Sequence, residues 1–435
     1  MLIALALIVA PTSQGAAERL TQVLRYLPSE GEFAGSACHG LVLQDENGIP
    51  MEVVNLGSIE PALCQAITRI DVDPEITRLA LATGTRLLEG EPSMPSSELL
   101  DVSEMSEVVL PPIGFSQASI DQGHRVIVGT GLNYREHNVE VGKQGSGDPS
   151  HLLLFPKVTP PTSAYAPIST GTAVGSRPPR PVRLMDYEAE LGLVLLQDID
   201  LRNPPDHQTL RQQSALVAVN DVSDRGPIVI DDTYGYTRGK SHRGYLPLGP
   251  WMIPSAQIDL ATGHVGQTSL EIALDVITAG QNPKGARRQR SRSTQMIHGP
   301  TAILEELSRR YLTGDPLCMP DTNGQPRYLH DGAGRIPAGS ILLTGTPSGT
   351  AIRTPYFIDK IRLFLEGGFS IDGAREEWIE ENEDAANRIG FLAPGDIVET
   401  WIEQLGRQRW TVAESDLGSD NGVPGSGSCD DFERH

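Results

Sequence analysis

The sequence predicts an α+β chain in which strands dominate. Three observations point there. Between about residues 124 and 413, six apolar or alternating runs are bounded by Gly, Pro, Asn or Asp: "HRVIVGTGLNY", "AELGLVLLQDI", "SALVAVNDV", "LEIALDVITAG", "GSILLTGTPSG" and "GDIVETWIEQLG". Helical signals in the same stretch are fewer: "TAILEELSRRYL" has apolar residues at helical spacing, and "AREEWIEENEDAANRI" reads as an acidic, solvated helix. Gly 45 and Pro 33 exceed average usage and imply many turns and long loops.

The 435 residues suffice for two or three domains, or one large one with insertions. Residues 18–115 are expected to form a small α/β N-terminal domain. In it, "RLTQVLRY" and "HGLVLQ" read as strands, and "PALCQAITRI" and "EITRLALATGTRLL" as short helices. "EPSMPSSELLDVSEMSEVVLPP" reads as a linker into the larger domain, residues 120–413. Segments 311–334 and 351–390 are long and are expected to form a lid or an oligomer contact. The Gly/Ser/Asp-rich end, 414–435, reads as a disordered tail. At the other end, the apolar run Leu2–Ala10 followed by small residues has the form of a secretory signal over residues 1–17. It lacks a basic start, and a buried strand is the alternative, so export and a cytoplasmic location both stay open.

Lys+Arg 35 against Asp+Glu 56 gives a net charge of −21, which disfavours a nucleic-acid partner. The basic run "KGARRQRSRS" is therefore read as an exposed hairpin tip. No apolar run reaches the roughly 18 residues a membrane helix needs. Collagen-like, coiled-coil and wholly disordered classes are excluded. Cys38, Cys64, Cys318 and Cys429 fit no zinc or CxxC spacing. Disulfides and four unpaired thiols are both compatible with them.

The chemistry concentrates in a few segments. In "DYEAEL", Glu188 and Glu190 lie two apart on a strand, so they share a face at a separation of roughly 7 Å. Two carboxylates on one face repel unless a cation lies between them. The apolar run "SALVAVNDV" ends at Asp221, which could supply a third. Three carboxylates suit Mg²⁺ or Mn²⁺, and no Cys/His cluster argues for zinc. In "REHNVE", His137 and Glu140 are three apart, so one helical turn faces both the same way. Such a pair can act as a general base, the carboxylate orienting the imidazole. Lys240 sits in a Gly-rich stretch where an ammonium could stabilise an enolate or hold a carboxylate. "LLTGTPSGT" is a strand running into a turn whose hydroxyls and N–H groups could bind a carboxylate. Each of these has a bland reading as surface or turn.

In order, "VGTGLNYREHNVEVG", "LFPKVTPPTSAYAPI", "DYEAELGLVL", "LVAVNDVSDRG", "TRGKSHRGYLPLGPW", "ILLTGTPSGT" and "LAPGDIVETWIEQLG" resemble the fumarylacetoacetate hydrolase family over about residues 124–411. The resemblance implies a mixed β-roll or sandwich domain with one Mg²⁺ or Mn²⁺ held by Glu188, Glu190 and Asp221. It implies a water-activating pair in His137 and Glu140 and an active-site lysine in Lys240. Arg225, Thr346 and Tyr134 match positions that contact substrate. The implied activity is hydrolysis of a C–C bond in a β-diketo acid such as an acylpyruvate or fumarylpyruvate, through an enolate held by the metal. A homodimer is also implied. A hydratase, dehydratase, isomerase or oxaloacetate decarboxylase acting on a 2-keto acid is the alternative, and a non-catalytic metal-binding protein a further one. Three positions depart from the family pattern. Gly226 and Ile228 stand where it commonly has Asp and Gln, and Thr130 stands at an extra upstream aspartate ligand.

Overall fold

The computed structural model describes residues 19–143, 149–170, 182–231, 233–260, 268–280, 285–355, 357–383 and 390–414. The expected signal segment, the tail beyond Glu414 and Cys429 lie outside these residues.

The principal strands in chain order are β1 (Val23–Tyr26), β2 (Ser36–Glu46), β3 (Ile49–Asn55), β4 (Ser97–Leu99), β5 (Ile127–Gly131), β6 (Leu153–Pro156) and β7 (Ala189–Leu195). They continue with β8 (Ser214–Asn220), β9 (Pro247–Pro254), β10 (Glu271–Ile277), β11 (Ala286–Arg292), β12 (Ile341–Leu343), β13 (Ile397–Ile402) and β14 (Gly406–Ala413). The helices used below are α1 (Pro74–Leu88), α2 (Arg135–Glu140), α3 (Arg225–Ile230), α4 (Gly235–Lys240), α5 (Pro300–Thr313), α6 (Phe357–Glu366) and α7 (Ile371–Glu383).

A 13-stranded sheet runs β4-β3-β2-β1-β9-β8-β7-β12-β5-β6, with three short strands off this path. The strands from residues 18–115 are hydrogen-bonded into it through β1 and β9, where Val23 pairs with Met252. Every residue of β7 and β8 is buried. Both strands are near-continuous apolar runs because both faces of the sheet are covered. One face, carrying Val194, Val217 and Val219, packs with Ala80, Leu81 and Leu87 of α1. The other, carrying Leu191, Leu193 and Leu216, packs with Leu274, Val398 and Trp410 of a second, five-stranded sheet. That sheet is half-solvated, and β13 and β14 alternate buried with part-exposed residues as such a sheet requires. Helix α1 starts on Asp73, whose carboxylate caps the Glu75 N–H, with Pro74 at the first helical position. Helix α5 ends at Gly314 in the left-handed region.

Several expectations need correction. "PALCQAITRI" is not a helix: it is a 3₁₀ turn, Pro61–Leu63, followed by the strand Cys64–Ala66. Cross-strand pairing with β2 takes precedence over helix propensity there, and Cys64 lies opposite Cys38 in a disulfide. None of the described cysteines is free. The expected linker contains β4 and a two-residue strand, Val109–Leu110, paired with β1. Most of the basic run is a strand rather than a hairpin tip. Its described part is β11, an edge strand of the second sheet, with Arg290 beside Glu271 and Arg287 beside Asp275. Segment 351–390 holds the helical hairpin α6–α7. Among the described residues no helix is long and apolar enough to cross a membrane.

Candidate metal and substrate site

The site forms where central strands of the large sheet end. Ala189 pairs with Asn220, so Glu188 lies across from Asp221, whose N–H donates to the Glu188 carbonyl at 2.8 Å. Glu190, two residues along, shares their face. One carboxylate oxygen from each of Glu188, Glu190 and Asp221 lies within 4.8 Å of the others, and all three residues are buried. The trio read from the sequence is thus brought together.

Buried cations surround it. Lys240, the last residue of α4, reaches Glu188 at 2.5 Å and Asp221 at 2.7 Å. Arg225, at the start of α3, spans Asp186 at 2.7 Å and Glu188 at 2.5 Å. Lys157, just past β6, pairs with the other Asp221 oxygen. Burial alone would raise the Glu188 pKa, but Lys240 and Arg225 outweigh it and hold the carboxyl at about 2. Burial pulls the Lys157 ammonium down to about 8 despite Asp221 beside it. For Lys240 the neighbouring Asp221 and Glu188 outweigh burial, and its pKa rises.

Glu190 differs. Its Oε2 accepts the Gly345 N–H at 2.7 Å, but its buried Oε1 has no hydrogen-bond partner among the described residues. Burial and the charges of Asp221 and Glu188 push its pKa well above the usual carboxylate range. Counting Asp186, the site holds one carboxylate more than the cations Arg225, Lys240 and Lys157, and Glu190 makes no ion pair among the described residues. An orphaned carboxylate oxygen, facing two others in an all-oxygen donor set, fits a hard divalent cation. Such an ion would turn the surplus negative charge into a single positive one.

His137 and Glu140 sit on one face of α2, with His137 Nδ1 3.2 Å from Glu140 Oε2. The Glu140 carboxylate is fixed in turn by the Gly349 N–H at 3.1 and 3.2 Å, by the Thr350 hydroxyl at 3.4 Å and by Arg353. The loop after β12 therefore sets the imidazole's orientation.

A cavity of 210 Å³ joins these groups, lined by His137, Glu188, Arg225, Lys240, Thr346 and, at the wall, Thr130 and Ile228 among others. The Thr346 hydroxyl donates to the Ala189 carbonyl at 3.2 Å and accepts from Gln289 at 2.9 Å. Tyr134 is buried beside this cavity rather than lining it; it lines a neighbouring one with Pro347 and Ser348. Burial and the Glu190 charge raise its phenol pKa, and its hydroxyl has no hydrogen-bond partner.

Sequence reasoning missed three residues. Lys157 lies inside "LFPKVTPP", where a lysine bordered by apolar residues and Pro was the available signal. Asp186 opens "DYEAEL" and anchors Arg225 while accepting the Ala351 N–H at 2.8 Å. Gln289 was hidden in the basic run, yet its side chain is buried and accepts the Ala189 N–H at 2.9 Å.

Residues 126–413 match the family model described as "Fumarylacetoacetate (FAA) hydrolase C-terminal". An uncharacterized protein of Pyrococcus horikoshii is 24% identical over 317 residues, covering 72% of this chain and 98% of its own. A fumarylacetoacetate hydrolase from psychrophilic Exiguobacterium antarcticum superposes with a TM-score of 0.51 at 18% identity, over 91% of this chain and 100% of that one. A structure of Cg1458 with inhibitor gives a TM-score of 0.50 at 17% identity, over 91% and 100%. At these identities the solved structures bear on the fold alone.

Proposed function

Because the chain belongs to the fumarylacetoacetate hydrolase family, whose members are typically enzymes using a divalent metal, we propose that it hydrolyses a C–C bond in a β-diketo acid of the acylpyruvate class. The observation that carries this reading is that His137, paired with Glu140, lines the same cavity as Glu188 of the carboxylate trio. A site that only bound metal would have less need of an oriented base beside it.

Glu188, Glu190 and Asp221 would hold the cation. When bound, Mg²⁺ or Mn²⁺ supplies a Lewis acid that polarises the keto and carboxylate oxygens of a 2-keto acid. His137 donates Nδ1–H to Glu140, which leaves Nε2 to take a proton from water. The hydroxide adds to the distal carbonyl, and the bond to the methylene carbon breaks. The released electron pair becomes an enolate, which Lys240 stabilises by charge and hydrogen bonding. The enolate carbon then takes up one proton, the equivalent of the one His137 removed from water, which gives pyruvate beside a carboxylic acid and returns the imidazole to its neutral form. Arg225 holds Glu188 in place throughout, and Thr346 lies where it can contact substrate.

The test is loss of the enol absorbance of fumarylpyruvate and simpler acylpyruvates, with Mg²⁺ and with EDTA. Turnover is expected only with metal and should vanish in Glu188→Ala. His137→Ala should lower kcat by about 10²–10⁴-fold while metal affinity, read by calorimetry, stays near wild type. Hydrolysis at the wild-type rate in His137→Ala would remove the pair from the mechanism. Absence of turnover on every acylpyruvate, with metal still bound, would refute the hydrolase reading.

A further inference from the structure

The reactive cavity shares part of its wall with a second space. Val141, Val229 and Ile352 line it on one side and line a second chamber of 570 Å³ on the other. The first cavity, at 210 Å³, lies below the roughly 300–1,000 Å³ of ordinary small-molecule sites, and the second falls within that range. The seam runs along the catalytic machinery: Ile352 lines both spaces, and Arg353, on the second chamber, holds Glu140.

The far wall comes from the hairpin α6–α7, which contributes Leu363, Phe364, Ala374 and Trp378. The hairpin is anchored as a wall must be. Ile379 of α7 is fully buried against Leu184, Ala351 and Phe391. Arg183 clamps Glu376 and Glu383 of the same helix, and Arg362 of α6 pairs with Glu381. The near wall is apolar too. Ile228 lines the first space and Val229 both, so branched aliphatic side chains face the boundary between them. Among the described residues no carboxylate lines the second chamber, and the cations there, Arg353, Lys360 and Arg375, join a mostly aliphatic and aromatic lining.

We propose that this chamber receives the apolar tail of the substrate, so that the site is built for 2-oxo acids carrying a long alkyl or aryl chain. The proposal rests on the metal-site reading above for the placement of the 2-oxo acid head. A tail leaving the cavity between Val229 and Ile352 enters a space whose lining it can desolvate. Each added methylene that reaches this lining should tighten binding by about threefold.

The experiment is calorimetric binding of pyruvate, 2-oxohexanoate and 2-oxodecanoate to the full chain with Mn²⁺, without turnover. In the wild type, affinity should climb with chain length, reaching at least a hundredfold from the shortest to the longest. Ala374→Phe, which fills the chamber, should flatten the series by at least tenfold for the longest acid. Phe364 is partly exposed, so Phe364→Gln makes the wall polar without disturbing a core, and should flatten it in the same direction. Equal affinity for all three acids in the wild type would overturn the chamber's role and leave the metal-site reading standing. Failure of every acid to bind in the presence of metal would overturn both. Phe364→Gln that leaves the series intact but turns a dimer into a monomer on sedimentation would instead make this hairpin a contact between subunits.

Discussion

Glu190 is the residue on which the site's electrostatics turn. Glu188 and Asp221 have lysine and arginine partners, whereas Glu190 Oε1 is buried with none. Its folded pKa therefore lies above the usual carboxylate value of 4.5. The folded protein binds this proton more tightly than the unfolded chain, so Glu190 costs the metal-free fold stability as pH rises above 4.5. Below 4.5 the group is protonated in both states and the cost vanishes. Glu190→Gln, which keeps an acceptor for the Gly345 N–H, should thus raise the melting temperature of metal-free protein at pH 8. The gain should shrink steadily towards pH 4.5, and it should reverse when Mn²⁺ is added, because the variant loses a ligand. Thermal scans of both proteins with EDTA and with Mn²⁺ across that range decide it. A gain that does not change with pH would show that Glu190 titrates alike in the folded and unfolded chains.

At this scale the sequence was informative for a physical reason. The carboxylate trio follows from strand periodicity and the His–Glu pair from helical periodicity, and both periods can be read along a chain. Asp186 shares the period of two with Glu188 and Glu190 and was legible there, whereas Lys157 and Gln289 come to the site through tertiary placement from segments far apart. No local period marks Lys157 or Gln289, and Gln289 was hidden by the arginines around it.

The element that most directly supports the pair is the turn after β12. Gly349 has φ +106, and a Cβ there would lie 1.9 Å from the Arg288 carbonyl oxygen. Its N–H also fixes Glu140. Gly349→Ala has to open this turn, and the cost expected is about 3 kcal/mol of stability, from backbone strain and the displaced edge of β11. It should lower kcat as well, because Glu140 loses the group that aims it. Denaturant unfolding and steady-state kinetics together check this. A fall in stability with unaltered kcat would separate the turn from the chemistry. Elements with strong local signals, such as α1 with its Asp-Pro start or the largely apolar β7 and β8, were legible in advance. "PALCQAITRI" was not, because its apolar spacing also suits a helix and only the pairing of Cys64 with Cys38 in β2 selects the strand. The hairpin α6–α7 was visible as a long segment with one acidic helix, but its apolar inner face acquires meaning only beside Val229 and Ile352.

Across the whole molecule, β1 ties the N-terminal strands to the large sheet, so strain in β2 is felt by the sheet as a unit. His39 lies on β2 directly opposite Arg25 of β1, is buried, and places Nδ1 3.2 Å from the Leu63 carbonyl. Burial, and then the Arg25 charge, push its pKa down to about 3. In the unfolded chain it titrates near 6.5. Between these values the unfolded state takes up a proton that the folded state refuses. The stability conferred by a neutral His39 is thus complete above about pH 6.5 and is lost progressively as pH falls towards 3. The full difference corresponds to roughly 4–5 kcal/mol, enough to decide whether a fold of ordinary stability survives in acid. His39→Gln cannot titrate and can still donate to Leu63, so it should flatten the decline in melting temperature from pH 6.5 to 4, at some cost near neutrality. Calorimetric scans should also show one cooperative transition, since β1 and β9 are neighbours in one sheet. If the wild type and His39→Gln decline in parallel, acid lability resides elsewhere, and the carboxylates paired with Arg225 and Lys240 become the next groups to remove.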